Sequence, residues 1–406
     1  MPAFTPEMKE THTILIPNML PIHFNLLIRI FRQYGYKMEL LTTDSRTVVN
    51  EGLKNVHNDT CYPALLVIGQ FLEALKSGRY DPDKTALMIT QTGGGCRASN
   101  YIHLLRKALA REYPQVPVLS LNFSGLEKGG GLRFTVPMLL KLLLAVLYGD
   151  MLMLVGNQCL PYEVNSGDTA RMIEKWETVL GDAFAQGSVF SLKKTYRAIL
   201  RDFASIPRRK EQKPKVGIIG EIYVKYSPLA NNELEKFLLS EGCEPVVPGL
   251  MDFLLYCVNN GDIDQKLYGL HTKGTWANKL AYKVLYGQQR KMIREVERHG
   301  VFTAPHDFEH LRKEADRFIS QGVKMGEGWL ITAEMALLAQ TGVENIVLTQ
   351  PFGCLPNHIV AKGMSRAVKE AFPQANIVAI DYDPGATRVN QENRIKLMLA
   401  NAKRSG

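Results

Sequence analysis

The first half of the chain alternates short, continuously apolar runs with longer segments in which apolar residues recur every three or four positions. Short apolar runs are typical of buried strands, and the wider spacing is typical of helices. The pattern predicts strands at residues 13–17, 37–41, 86–90 and 116–122. It predicts helices at residues 23–34, 63–76 and 97–112, followed by an almost wholly helical stretch at residues 134–200.

After residue 200 the pattern stops and then restarts. Residues 206–215 hold two prolines and five basic residues without apolar periodicity, which is typical of a linker. Beyond them the pattern predicts strands at residues 215–220, 244–247, 345–349 and 376–381. Helices are predicted at residues 232–240 and 356–372, at residues 390–402, and throughout a long helical region at residues 251–340.

Strands that alternate with helices indicate parallel sheets covered by helices on both faces. The predicted fold class is therefore α/β, with two Rossmann-like lobes and additional helices. We expect an N-terminal lobe at residues 1–205, a basic linker at residues 206–215 and a C-terminal lobe at residues 216–406. In such lobes ligands bind at the carboxyl ends of the strands, so the loops after the strands are where we look for a functional site.

Composition and charge narrow the function classes only a little. Of 406 residues, 46% are hydrophobic and 22% are charged, which is ordinary for a globular protein. The net charge of +9, from 49 Lys and Arg against 40 Asp and Glu, is mild for this length. We therefore expect no nucleic-acid partner.

The longest apolar run, residues 139–155, is interrupted by Lys141, Gly149 and Asp150. A membrane-spanning helix needs about 20 predominantly apolar residues, so we expect no membrane span here. The first residues lack the apolar stretch of a secretory signal, and we expect a cytoplasmic protein. In that compartment six cysteines are free thiols, metal ligands or catalytic groups rather than a disulfide framework.

Three cysteines share one setting, a turn that leads into a predicted helix. Cys61 precedes the second predicted helix, Cys96 ends a glycine run after the third strand, and Cys354 follows the seventh strand. The dipole and free N–H groups of a helix N-terminus favour the thiolate, which is the form that binds iron–sulfur clusters. Gly94 and Gly95 would let the backbone approach a bulky group without obstruction. Cysteine is also among the most buried residue types, so an ordinary core role stays open for each of the three.

The other three cysteines lie in less distinctive places. Cys243 and Cys257 fall in or beside helical segments, and we expect both in the core. Cys159 precedes Leu160 and Pro161, much as Cys354 precedes a leucine and a proline, but it follows a helix rather than a strand. We keep it as a candidate extra ligand.

Several charged residues stand where a ligand could reach them. Glu221 follows the fifth strand and Glu327 lies between two glycines, so each could transfer protons or simply cap a helix. Lys225 is close to the same strand end. His306 and His310 are spaced for a metal pair, but a solvated first helical turn is the commoner reason for that pattern, as a solvated hinge is for the basic linker.

The sequence lacks most of the familiar short motifs. It has no G-x-x-x-x-G-K-[ST] for ATP, no G-x-G-x-x-G after a strand, no C-x-x-C, no H-E-x-x-H and no G-x-S-x-G. A P-loop, a dinucleotide fingerprint and a closely spaced zinc pair are therefore not expected.

Four longer segments nevertheless resemble a known family. They are Gln91-Thr-Gly-Gly-Gly-Cys-Arg-Ala-Ser-Asn-Tyr101, Gly220-Glu-Ile-Tyr-Val-Lys225, Gln350-Pro-Phe-Gly-Cys-Leu-Pro-Asn-His358 and Ala379-Ile-Asp-Tyr-Asp-Pro-Gly385. Together they resemble the 2-hydroxyacyl-CoA dehydratase superfamily, most closely the branch described as activase-related, and the resemblance covers nearly the whole chain.

The resemblance implies two flavodoxin-like lobes with an oxygen-sensitive [4Fe-4S] cluster between them, held by Cys61, Cys96 and Cys354. It implies an ATP-driven activase that delivers one low-potential electron. In the dehydratases this electron reduces the thioester carbonyl of an acyl-CoA substrate, which then expels its hydroxyl group. Glu221 and Glu327 would serve in proton transfer, and a homo- or heterodimer is expected.

The chain departs from the full family pattern in two ways. It shows no activase module, so we expect that partner in trans, and it has one dehydratase-like module where the dehydratases pair two. These departures keep alternatives open: a reductase component with a double-cubane cluster, or a non-catalytic electron carrier or scaffold that partners the activase. A zinc protein that uses the same thiols is a further alternative.

Overall fold

The computed structural model describes residues 2–57, 59–91, 95–122, 132–270 and 275–402. These residues form two four-stranded parallel sheets surrounded by helices, which confirms the predicted α/β class and its two Rossmann-like lobes.

The first sheet contains the four strands of the N-terminal lobe, β1 (Thr13–Pro17), β2 (Lys37–Leu41), β3 (Thr85–Gln91) and β4 (Val118–Asn122). Their order across the sheet is β2-β1-β3-β4, and all neighbours pair in parallel. The helices of this lobe are α1 (Met8–Thr11), α2 (Pro21–Gln33), α3 (Arg46–Asn55), α4 (Tyr62–Lys76) and α5 (Tyr101–Glu112), with short 3₁₀ turns at Pro82–Lys84 and Arg97–Asn100.

A helical extension follows the first sheet. Its helices are α6 (Val136–Cys159), α7 (Asp168–Gln186) and α8 (Leu192–Ala204), with 3₁₀ turns at Leu160–Tyr162 and Ser188–Phe190. The linker then lies against this extension, because the N–H groups of Val164 and Arg209 donate to Pro207 and Tyr162 carbonyls at 2.9 and 2.8 Å.

The second sheet repeats the topology of the first. Its strands are β5 (Lys215–Gly220), β6 (Glu244–Val246), β7 (Asn345–Pro351) and β8 (Asn376–Tyr382), in the order β6-β5-β7-β8. All three pairings are parallel. Its helices are α9 (Ile222–Tyr226), α10 (Pro228–Asn231), α11 (Leu234–Ser240), α12 (Leu250–Tyr268), α13 (Thr275–His299), α14 (Phe308–Phe318), α15 (Trp329–Gln340), α16 (Leu355–Asn357), α17 (Ser365–Ala371) and α18 (Arg388–Ala402).

One predicted helix is divided in the structure, and helix α3 was not predicted. The helix predicted at residues 356–372 is divided into α16, a π-helical turn at His358–Lys362 and α17, which meet around Gly363. Helix α3 escapes the apolar pattern because only Val48, Val49 and Gly52 on its ten residues are buried. Both differences lie beside the strand ends rather than within the sheets.

One hydrophobic core spans both lobes, and Asp150 in α6 is a buried polar group that contacts both. The buried carboxylate of Asp150 accepts a hydrogen bond from His23 Nε2 on α2 at 2.8 Å. It also accepts from the N–H groups of Leu250 and Met251 at 2.7 and 2.9 Å, and thereby caps α12 of the second lobe. Asp150, which interrupts the apolar run in the sequence, thus forms hydrogen bonds with both lobes.

The described part of the chain holds one segment, Val136–Tyr162, that is long and apolar enough to span a membrane by length and composition. Within its most apolar window, 67% of the residues are buried in the protein. Burial of most of a helix inside the protein is typical of a core helix.

Candidate functional site

Cys61 lies at the N-terminus of α4, where the first lobe meets the second. The residue is buried and is the cap of α4, followed by a proline in the first turn. Its Sγ is 2.7 Å from the hydroxyl of Tyr101, which begins α5. The N–H of Tyr62 donates to the carbonyl of Phe352 in the second lobe at 2.9 Å, so this turn is fixed directly against the turn after β7.

Cys96 follows β3 and caps the 3₁₀ turn that leads into α5. Its Sγ accepts a hydrogen bond from the N–H of Ala98 at 3.5 Å. Gly95 makes a close approach, because a Cβ at this position would lie 2.6 Å from the Met325 sulfur. The glycine that we expected to matter at position 95 therefore packs against the loop before α15, whereas Gly94 lies outside the described residues.

Cys354 follows β7 and caps α16, and it is buried. The preceding Gly353 has φ +72°, and a Cβ there would lie 3.1 Å from the Cα of Cys61. Around the same point, a Cβ at Gly326 would lie 3.1 Å from Pro356 and 3.8 Å from the Sγ of Cys96. The structure therefore brings the turns that carry the three cysteines together at the carboxyl ends of both sheets, where topology favours ligand binding.

Glu221 and Glu327 are buried beside these turns. Glu221 caps α9, since its Oε2 accepts from the N–H of Val224 at 2.8 Å. Glu327 accepts from the N–H of Ile222 at 2.9 Å through Oε1. The capping role is thus present for both, and proton transfer stays a prediction. Burial, reinforced by the negative charge of Glu327, raises the pKa of Glu221 to about 8.

The thiols of the metal-free protein hold their protons at neutral pH. Burial and the negative charge of Glu327 raise the pKa of Cys96 to about 12, and burial likewise raises the pKa of Cys61 and of Cys354. Helix N-termini alone favour thiolates, but burial and two carboxylates outweigh their N–H donors in this site. A positively charged group bound at the turns would reverse that balance.

The three turns carry cysteine thiols, which are the ligand type that iron–sulfur clusters bind. Among the residues that the structure describes, no three His, Cys, Asp or Glu side chains are arranged to hold one metal ion. A cluster distributes its cysteine ligands over several irons, so its thiols need not converge on one point. On either side of Cys354 along the chain, the buried Gln350 Oε1 and Asn357 Oδ1 have no hydrogen-bond partner among the described residues.

The remaining cysteines take different places. Cys159 is buried in the core, where its Sγ is 3.6 Å from the Phe203 carbonyl on α8, and the structure does not bring it to the three turns. Cys243 is buried, as predicted. Cys257 is not in the core as predicted: it is exposed on α12. The protein packed around its thiol and the charge of Glu327 nevertheless raise its pKa to about 12, so it lies within electrostatic reach of the site.

Sequence patterns missed Cys257 for a simple physical reason. It stands mid-helix without a turn or glycine nearby, and only the packing of α12 on the Glu327 loop brings it close. That packing is visible in the Tyr256 and Trp329 rings, whose centroids are 5.3 Å apart. Tyr101 begins α5, but its hydrogen bond to Cys61, 40 residues earlier in the chain, depends on how α4 and α5 pack and has no local sequence signal.

The other charged candidates lie apart from the thiols. Lys225 is buried and pairs with Glu334 on α15, at 3.3 Å from Nζ to Oε1. The rings of His306 and His310 are tilted against each other, with centroids 4.9 Å apart, at the start of α14, where Asp307 caps the helix. Linker residue Arg208 lies over the Phe302 ring at 5.1 Å.

Comparisons with known proteins do not assign the chain to a family. No protein-family model matches the chain, and no curated protein matches its sequence. The resemblance to the dehydratases therefore rests on the four sequence segments, and the site on its own geometry.

Proposed function

We propose that this chain is an iron–sulfur protein of the 2-hydroxyacyl-CoA dehydratase type, with Cys61, Cys96 and Cys354 as the cluster ligands. The observation that carries the proposal is the meeting of three cysteine turns from two lobes, seen in the approach of Gly353 to Cys61 and of Gly326 to Cys96. A thiol kept only for core packing has no reason to recur at three strand or helix ends that share one crevice.

When bound, a [4Fe-4S] cluster supplies low-potential one-electron chemistry and, at an iron without a cysteine, a Lewis acid. The residues of the chain prepare its environment. Burial of Cys61 and Cys354 excludes water, and the N–H of Ala98 donates to the sulfur of Cys96. Donors to sulfur and a dry surrounding are the two protein features that tune the potential of such a group.

Glu221 and Glu327 would supply and remove protons at this site. With its pKa raised to about 8 by burial and by Glu327, Glu221 carries a proton at neutral pH and can donate it. Neither carboxylate belongs to a turn that carries a cysteine, so both can exchange protons with a substrate while the cysteines hold the cluster.

The resemblance extends the proposal to partners and substrate. The electron would come from an ATP-driven activase in trans, and the substrate would be a small acyl-CoA-like molecule that undergoes radical dehydration or reduction. A cytoplasmic location and a homo- or heterodimer belong to the same proposal.

A double-cubane reductase is the second candidate, and the cysteine positions favour it less. Such a cluster needs further thiols at the site, but Cys159 and Cys243 are in the core, and only Cys257 lies within reach of Glu327. A non-catalytic electron carrier that partners the activase would use the same three ligands.

Iron and acid-labile sulfide measured on anaerobically purified protein test the proposal. Roughly four irons per chain, from the composition of one cubane, are expected. Twice that content would favour the double-cubane reductase. If the protein binds zinc instead, or remains colourless after anaerobic reconstitution, the redox proposal fails. Turnover of acyl-CoA with activase and ATP then separates an enzyme from a carrier.

A further inference from the structure

A cavity of about 190 Å³ lies in the second lobe beside β6, and none of the three cysteines lines it. Apolar side chains of α6, α13 and α15 form its walls, among them Met153, Met292 and Leu337. Its rim includes the exposed residues Thr303 and His306. A water molecule occupies about 30 Å³ in the liquid, so the cavity accommodates several waters in contact with solvent at the rim.

The floor of this cavity is acidic and buried. Asp252, in the first turn of α12, accepts a hydrogen bond from Gln289 Nε2 at 2.6 Å. Gln289 is oriented in turn by the N–H of Phe308, which donates to its Oε1 at 3.1 Å. Glu334, on α15, lines the same cavity and is likewise buried. Asp150 and Glu244 are also buried and also line the cavity, so four carboxyl groups face the same small volume, where water can bridge Asp252 and Glu334.

The buried ion pair of Glu334 continues from the cavity toward the cysteine turns. Lys225 Nζ is 3.3 and 3.4 Å from the two carboxylate oxygens of Glu334. Lys225 stands one helical turn after Glu221 on α9, and Glu334 stands two turns after Glu327 along α15. Helix α9 begins just after Glu221 and α15 begins just after Glu327, and both acids lie beside the cysteine turns, so each helix connects that region with the ion pair.

These groups form what we term the acid row: Asp252, Glu334, Lys225, Glu327 and Glu221. All five are buried, and the one ammonium group of the row, on Lys225, contacts the carboxylate of Glu334. Such a set retains protons at neutral pH, because ionising every acid would place like charges together in a medium of low dielectric. Burial, together with the charges of Glu334 and Asp150, raises the pKa of Asp252 to about 8.

The groups packed around the row are otherwise occupied. Asp150 is committed to His23 and to the N-terminus of α12. The hydroxyl of Tyr226 donates to the Pro248 carbonyl at 2.7 Å, while its ring lies 4.6 Å from Lys225 Nζ. The only cation that the row contacts directly is therefore Lys225, within the described residues.

We propose that the acid row conducts protons between the cavity and the cysteine turns, so that each electron taken up at the turns is matched by one proton from solvent. The electron comes from the external one-electron donor, and the proton enters at the rim, passes Asp252 and Glu334, and ends on Glu327 or Glu221. No bond to carbon forms or breaks, and the total charge of the site is unchanged. This inference rests on the proposed cluster for its electron, but the row itself is present without it.

The metal-free protein tests whether Asp252 and Glu334 communicate. The carbonyl stretch of protonated Asp252 is the infrared band that Asp252→Asn removes, and its titration gives the pKa of that group. Glu334→Gln removes a neighbouring negative charge, so it should lower the pKa of Asp252. The band should then disappear at a lower pH than in the wild type. The half-buried Glu235, outside the row, provides the control: Glu235→Gln should leave the titration unchanged. A band absent at pH 7, or a titration that Glu334→Gln does not move, overturns the row.

The cluster-loaded protein tests conduction. Reduced methyl viologen supplies one electron and no proton, and an indicator dye reports proton uptake in an anaerobic stopped-flow measurement. About one proton per electron is expected in the wild type, and Asp252→Asn and Glu334→Gln should slow that uptake at least tenfold while Glu235→Gln does not. Equal rates in all four proteins overturn the proposal. Failure to load any cluster would instead refute the proposed function and leave the infrared result to decide the row.

Discussion

The two lobes share one topology and differ in the residues that this topology exposes. In each, the third strand of the lobe along the chain ends in a turn that carries a cysteine, Cys96 after β3 and Cys354 after β7. The long helix that precedes this strand along the chain also begins beside the cysteine turns. It begins with Cys61 in the first lobe and directly after Glu327 in the second.

The first strands differ in the same sense. β1 ends at Pro17 and is followed by the uncharged Asn18, whereas β5 ends at Gly220 and is followed by the buried acid Glu221. The fold therefore determines where site residues stand, and the residue types determine what they do. One lobe contributes two thiols, while the other contributes one thiol and the carboxylates of the acid row.

The largest effect should come from breaking the link between the lobes. Asp150→Ala leaves His23 and the first N–H groups of α12 without their acceptor. Loss of such a buried partner costs about 4 kcal/mol. Denaturant unfolding of the metal-free protein measures it. Asp202→Ala, which removes a surface pair with Lys175, should cost about 1 kcal/mol or less, and equal losses would show that Asp150 does not join the lobes.

The acid row should make stability depend on pH. With a pKa of about 8 when folded and about 4 when unfolded, Asp252 keeps a proton that the unfolded chain releases between these values. The free energy of unfolding therefore falls as pH rises from about 4 to 8, by about 1 kcal/mol per unit. Asp252→Asn should flatten this profile and exceed the wild type in stability at pH 8.

A matched variant on the same helix controls for general effects of α12. Asp262 pairs with Lys266 on the surface of α12, so Asp262→Asn should keep the wild-type profile in chemical denaturation between pH 5 and 9. If the free energy of unfolding depends on pH in the same way for Asp252→Asn and the wild type, the pKa of Asp252 is not raised in the folded protein.

Two glycines with nearly equal backbone conformation test the close approach of the cysteine turns. Gly353 has φ +72° and Gly187 has φ +73°, but only at Gly353 would a Cβ meet other residues, 3.1 Å from Cys61 Cα. Both substitutions to Ala should cost about 1 kcal/mol for the left-handed backbone. Gly353→Ala should cost about 1 kcal/mol more, by thermal unfolding, because the turns must separate. Equal costs would contradict the close approach.

The smallest effect concerns the electrostatics of the thiols. Burial is the main cause that raises the pKa of Cys96, and the negative charge of Glu327 is the next. Glu327→Gln should therefore lower that pKa. In the metal-free protein, alkylation of Cys96 at pH 8, followed by mass spectrometry, should accelerate roughly threefold because more thiolate is present. Glu235→Gln should leave the rate unchanged. A rate that Glu327→Gln does not alter would mean that the carboxylates of the second lobe do not act on the thiols of the first.

Much of the fold follows from local pattern. The strands at residues 13–17 and 37–41 have the predicted bounds. The first is a short apolar run, and the second begins with charged and apolar residues in alternation; both patterns are local features typical of strands. The shared setting of the three cysteines was also visible, since a turn before a helix is a local feature. Their meeting was not, because it depends on how one lobe packs against the other.

The same limit explains the rest of the site. Asp150 stands out in the sequence as an interruption of an apolar run, but its partners His23 and Leu250 lie 127 and 100 residues away. Lys225 and Glu334 are 109 residues apart and become a buried pair only when α9 packs beside α15. No periodicity within one segment encodes such a contact.

The central claim is that thiols from both lobes hold one common group, and iron bound per chain in single variants tests it most directly. Cys61→Ser, Cys96→Ser and Cys354→Ser should each lose the iron and acid-labile sulfide of the wild type, whichever lobe carries the change. Cys159→Ser and Cys243→Ser, which alter buried thiols away from the turns, should retain both. If any of the three variants keeps its full iron content, or if the wild type binds none, the common site does not exist.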